Sequence, residues 1–188
     1  MPQRPGSSAV PDVWATIAVE AASESSLWAG ALRPAEEREA APVFSPLADE
    51  RHALGLETIY EGYLLHYGRS RLFEPDDRNA GILLGDYLYA HGLVRIAALG
   101  DVRVVSDLAE LISLCAQLRA EPAGSWGADA EAWAATAAAL GHVNGRLEEA
   151  RAALRDRGDP EPLARLAREE ASPDAIADAL RLHAERVF

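Results

Sequence analysis

Between Ile82 and Leu118 the chain reads ILLGDYLYAHGLVRIAALGDVRVVSDLAELISLCAQL, a pattern that specifies two helices folded back on each other. Wound as a helix, Ile82 to Ala98 carries apolar side chains around almost its whole circumference, and only His91 and Arg95 mark a narrow polar strip. A helix apolar all round is a buried one. Asp86 projects opposite that strip, among Ile82, Ala90, Leu93 and Ala97, so its carboxylate is expected inside the fold. There it is either paired with an arginine or a tyrosine hydroxyl, or placed for chemistry. Gly100 suits the left-handed residue that ends a helix and Asp101 the cap of the next, so the connection is short and the helices antiparallel. The second helix has two faces. Val104, Val105, Leu108, Leu111, Ile112, Cys115 and Leu118 share one side, and Arg103, Ser106, Asp107, Glu110, Ser113 and Gln117 share the other, so it covers the first helix and meets water.

The rest of the chain supports an all-α helical bundle in one domain, residues 12–188, preceded by a loose arm at residues 1–11. Helices are expected at about 12–32, 47–67, 80–98, 102–119, 128–155, 160–170 and 173–187. Asp12, Asp77 or Asn79, Asp159-Pro160 and Ser172-Pro173 are capping signals for four of them. Pro122 and Gly124 stop the 102–119 helix, Ser125 to Asp129 starts the next, and GHVNG at Gly141–Gly145 breaks or kinks it. No strand-like alternation or internal repeat is present.

Tyr60, Tyr63 and Tyr67 share one face of the 47–67 helix, either as a core seam whose hydroxyls find polar partners or as a pocket wall. Glu57 and Glu61 flank them and are expected on a solvated edge. Cys115, the single cysteine, sits mid-face on an apolar helix as an inert thiol. His52, His66, His91, His142 and His183 show no metal-ligand spacing, and Asp49-x-x-His52 is one imperfect copy of a di-iron motif that needs two. Metal ligands are therefore expected to be none. The formal net charge of −12 argues against a nucleic-acid backbone as partner. All 18 positive residues are arginine, which removes lysine Schiff-base chemistry and a lysine-bearing phosphate loop. With no apolar run long enough to span a bilayer and no signal-peptide layout at the start, a cytoplasmic location is expected.

The stretch GILLGDYLYAHGLVRIAALGD resembles the helix of trans-polyprenyl diphosphate synthases that carries a Gly-Asp-Tyr-Leu signature, here Gly85, Asp86, Tyr87 and Leu88, followed by a turn and a helix lining the subunit contact. LETIYEGYLLHYG is similar to the family's earlier helix, and together the resemblance covers about residues 54–121. It implies an isoprenoid-synthase-like core with orthogonal-to-antiparallel packing. The family's catalysis needs two aspartate-rich motifs on facing helices to hold magnesium; where the first belongs this chain has HYGRSRLF, and no second follows. The nearest acidic group is Glu74, Asp76 and Asp77, in a proline-containing loop. The resemblance therefore implies a non-catalytic, small-subunit-like member, with no cofactor, that acts as a homodimer or as the partner of a synthase-like subunit. The hairpin from Ile82 to Leu118 is the expected contact, because the remaining helices are short or alanine-rich. Two alternatives stand beside it: an active prenyltransferase binding diphosphate and magnesium through Glu74, Asp76, Asp77 and Asp86, and an unrelated helical interaction or regulatory protein.

Overall fold

The computed structural model describes residues 12–120, 127–143 and 145–187. Among them run nine α-helices: α1 (Val13–Glu24), α2 (Ser26–Gly30), α3 (Ala53–Tyr67), α4 (Arg78–Ala98), α5 (Val102–Ala120), α6 (Ala128–Ala138), α7 (Arg146–Arg157), α8 (Glu161–Glu170) and α9 (Pro173–Ala184). The described residues form no sheet, only isolated bridges at Leu32–Phe73 and Gly68–Val187. The all-α expectation holds. The readings made at Met1–Pro11, at Pro122, Gly124 and Ser125 and at Asn144 lie outside the described residues.

Local chemistry sets the helix starts. Asp12 Oδ1 accepts from the Trp14 amide at 3.0 Å, and Ser172 Oγ accepts from the Ala175 amide at 3.3 Å ahead of Pro173. Asp77 Oδ1 takes two amides of α4, those of Asn79 at 2.7 Å and Ala80 at 3.0 Å. Asp101 does the same for α5 after Gly100 turns through φ 83°. Three expected helices differ in extent. The one expected over 12–32 is cut at Ser25, whose extended backbone (φ −150°, ψ 137°) and hydroxyl bond to the Leu27 amide begin α2. The one expected from 47 begins at Ala53, because Pro46 and the Asp49 cap wind the approach into 3-10 turns at Ser45–Leu47 and Glu50–His52. The one expected over 128–155 is two helices, separated where Gly141 and Gly145 both take positive φ.

Among the described residues the antiparallel pair α3 and α4 shares the most extensive contact between helices. One core lies between α3, α5, α6, α8 and α9 around Phe44, Tyr60, Tyr63 and Trp133. A smaller one lies where α1 and α2 cover α4 and the Leu72–Phe73 segment. α6 is the hub of the second half; its residues from Ala132 to Ala138 are all buried beneath α5, α8 and α9.

Candidate functional site

The Gly-Asp-Tyr-Leu residues fall into place through the α3–α4 contact. Gly55 and Gly62 on α3 and Gly85 and Gly92 on α4 are each two turns apart, and in the antiparallel pair Gly62 meets Gly85 while Gly55 meets Gly92. A Cβ at Gly62 would lie 2.8 Å from the Gly85 carbonyl oxygen, and one at Gly92 would lie 3.0 Å from that of Gly55. The backbones touch because no side chain holds them apart. Leu88, on the same side, is buried. Tyr87 stacks on Trp28 of α2 with ring centroids 4.2 Å apart.

Asp86 is not buried. Its side chain is 64% exposed and meets His66 Nε2 at 3.2 Å. The helix turns its glycine side (Gly81, Gly85, Leu88, Gly92, Ile96) to α3, which points Asp86 to solvent. His91 and Arg95 are likewise reversed from expectation. They face α1, where Glu20 receives His91 Nε2 at 2.8 Å and the Arg95 guanidinium. Burial raises the Glu20 pKa, but those two hydrogen bonds outweigh it and hold the carboxyl below the usual range.

Glu57 and Glu61 also depart from expectation. Both are buried, one turn apart on α3, with the Arg71 guanidinium between them: Nη1 to Glu57 Oε2 at 2.6 Å and Nε to Glu61 Oε2 at 2.9 Å. Their other oxygens accept backbone amides, those of Val43 and Ser45 at Glu57 and of Arg71 and Leu72 at Glu61. Arg71 also donates to the Ala41 carbonyl and lies over Trp14 and Tyr60. The cluster nails two loops onto α3 and leaves neither carboxylate open to a ligand. Its sequence signal was two carboxylates one turn apart beside a tyrosine seam; the arginine that neutralises them lies in the next loop.

Tyr60 and Tyr63 are wholly buried and Tyr67 is half-buried. The first two pack against Phe44, Trp133 and His183. Tyr63 donates to Asp129 Oδ2, which also accepts from Arg119 Nε at 2.8 Å, and Tyr60 Oη lies 3.0 Å from His183 Nδ1. His183 Nε2 stands 3.6 Å from Asp129 Oδ1. This interior chain joins α3, α5, α6 and α9. Burial raises the Asp129 pKa, but His183, Tyr63 and Arg119 more than offset it, so the carboxylate is held ionised; burial also pushes both phenols up. Cys115 is buried beside it, and burial pushes its thiol up.

The acidic loop does not converge on a metal. Glu74 pairs with Arg33 at 2.9 Å, Asp77 is spent as the α4 cap, and Asp86 lies nine residues further along the helix, about 13 Å away by helical rise. Among the described residues no three His, Cys, Asp or Glu side chains come together as metal ligands, and no helix is long and apolar enough to cross a membrane.

What remains is a surface. Leu83, Tyr87, Ala90, Val94 and Ala97 recur on α4 at spacings of four and three residues, the seam period of a coiled coil. Leu83 is 58% and Val94 63% exposed, Ala90 and Ala97 are exposed, and Tyr87 is half-covered by Trp28. Leu99 and Val102, 47% and 81% exposed, lie beyond it at the turn into α5. The chain matches no protein-family model, no curated protein and no solved structure.

Proposed function

We propose that the chain is a non-catalytic helical subunit that works by association, docking the outward seam of α4 onto a like-built helical face, its own in a homodimer or that of a synthase-like partner. The observation that carries this reading is the row of apolar residues from Leu83 to Ala97 at coiled-coil spacing, of which Leu83, Ala90, Val94 and Ala97 are exposed. The resemblance of this hairpin to the subunit-contact helices of polyprenyl diphosphate synthases names the partner class. Prenyl transfer by this chain alone is disfavoured, because Asp77, Glu74, Glu57, Glu61 and Asp129 are each engaged by the fold and, among the described residues, no acidic cluster is left to hold magnesium and diphosphate.

Sedimentation of the purified chain, alone and mixed with a polyprenyl diphosphate synthase, tests the proposal. Expected is a dimer or a stable mixed complex that Val94→Glu dissociates without loss of helical signal. A monomer that binds neither itself nor the synthase, or one that elongates allylic diphosphates with magnesium, overturns it.

A further inference from the structure

α7 and α8 form an antiparallel hairpin, joined by residues 158–160 and tied at the far end where Arg146 meets Glu169 and Glu170. A cleft of about 250 Å³ runs between them. Ala150, Ala153 and Leu166 make its buried floor, and the two alanines keep that floor low. Its walls carry Arg146, Glu149, Arg157 and Arg165. Arg146 is spent on the carboxylates of α8. The other three are exposed, and among the described residues none of them makes a hydrogen bond or an ion pair. In a chain with 30 acidic residues against 18 arginines, two arginines that face one cleft and hold no carboxylate are free to hold a ligand. Paired guanidinium groups suit a phosphate dianion, which accepts from both. Glu149 opposes a plain anion on that wall and suits a cation attached to it. It stands eight residues before Arg157 on α7, about 12 Å of rise, a span that two long side chains and a short dipolar ligand fill.

We propose that the α7–α8 cleft binds a small aminoalkyl phosphate monoester. The phosphate accepts from Arg157 and Arg165, and the ammonium donates to Glu149. The free charges of the wall, two positive and one negative, are those of the ligand in reverse. Glu149 thereby sets selectivity: a phosphate without the ammonium is opposed by it, and an amine without the phosphate is opposed by both arginines. The site uses none of α4, so its fate is independent of the association reading.

Phosphoethanolamine, ethyl phosphate and ethanolamine, titrated separately into the full chain and followed by amide NMR, provide the test. Expected is saturable binding of phosphoethanolamine, with shifts on α7 and α8 and an affinity roughly tenfold above that of ethyl phosphate, and no binding of ethanolamine. Glu149→Gln should bring the two phosphates to the same affinity. Arg157→Gln or Arg165→Gln should weaken both phosphates by roughly fivefold or more, with an unchanged melting curve because each side chain is exposed and unpaired. Vesicles containing phosphatidylethanolamine separate a lipid headgroup from the free ester: the lipid phosphate is a singly charged diester and should not retain the chain. No saturable binding, equal affinity of the parent for phosphoethanolamine and ethyl phosphate, undiminished binding in either arginine variant, or retention by the vesicles without binding of the free ester overturns the proposal.

Discussion

Replacing Gly62 with alanine places one methyl group against backbone. The new Cβ would sit 2.8 Å from the Gly85 carbonyl oxygen, 3.1 Å from Tyr89 Cδ1 and 3.3 Å from Leu88 Cβ. Ordinary contact begins near 3.4 Å, so α3 and α4 must part by about half an ångström along their closest line. Two forces oppose each other. Alanine gains about 1 kcal/mol of helix propensity over glycine. Overpacking a rigid contact costs about 1–3 kcal/mol, and the upper end applies because the obstacle is a helix carbonyl rather than the end of a side chain. The expected net loss is about 2 kcal/mol, a fall in melting temperature of roughly 4–8 °C for a chain this long. Gly30→Ala is the control, since nothing lies within 4 Å of the added Cβ and its φ is not positive; it should be neutral or stabilising by up to about 1 kcal/mol. Urea unfolding followed by circular dichroism measures both. A Gly62→Ala variant as stable as the parent would refute the glycine-contact account.

Arg71→Met should be among the most damaging single changes, with a loss of about 3–5 kcal/mol, because it strands two buried carboxylates; a loss under about 1 kcal/mol by the same assay would show that water reaches them. Asp86→Ala should alter stability by no more than about 0.5 kcal/mol, since the carboxylate is largely exposed and meets only a histidine; a clear drop in the urea midpoint would show that it is tied into the fold. Asp129 has a depressed folded-state pKa, so its ionised form adds stability above the ordinary carboxylate value of about 4 and that share is lost as pH falls through the folded value. Urea midpoints measured from neutral to acid pH should therefore fall less steeply for Asp129→Asn than for the parent; parallel curves would contradict the linkage. Glu20 and Glu39, also depressed, leave the variant a residual acid slope.

The starts of α1, α4, α5 and α9 were legible because their causes are local: Asp12, Asp77, Asp101 and Ser172 each bond amides within three residues. The buried side of α4 was not, because a helical wheel weighs side chains and the closest packing lies where there are none. The readable signal was the glycine spacing itself, two turns on both α3 and α4. Turning that side inward carries His91 and Arg95 to α1, and Leu83, Asp86 and Val94 outward. The Glu57–Arg71–Glu61 cluster was hidden for another reason. Nothing in a helix period says that a loop arginine will return to neutralise two glutamates, and without it a solvated edge is the cheaper place for them. The link from Tyr63 to Asp129 crosses 66 residues, beyond the reach of any spacing argument.

Catalysis by side chains needs groups that are both held in place and open to substrate. Among the five carboxylates Glu57, Glu61, Asp77, Asp86 and Asp129 the two conditions fall on different residues. Glu57, Glu61 and Asp129 are held by several donors each, but they are sealed in the interior with their partners. Asp86 is open but is held by one histidine at 3.2 Å, and Asp77 is consumed by the helix it caps. The α4 seam, in contrast, is backed by the glycine contact behind it and runs about 21 Å along the helix from Leu83 to Ala97, exposed at every position but Tyr87. An exposed apolar row costs free energy in water and gains it only when another surface covers it. This is why the association reading rests on α4 rather than on any carboxylate. It is also why Val94→Glu, which changes the row without touching the glycine side, separates loss of association from loss of fold.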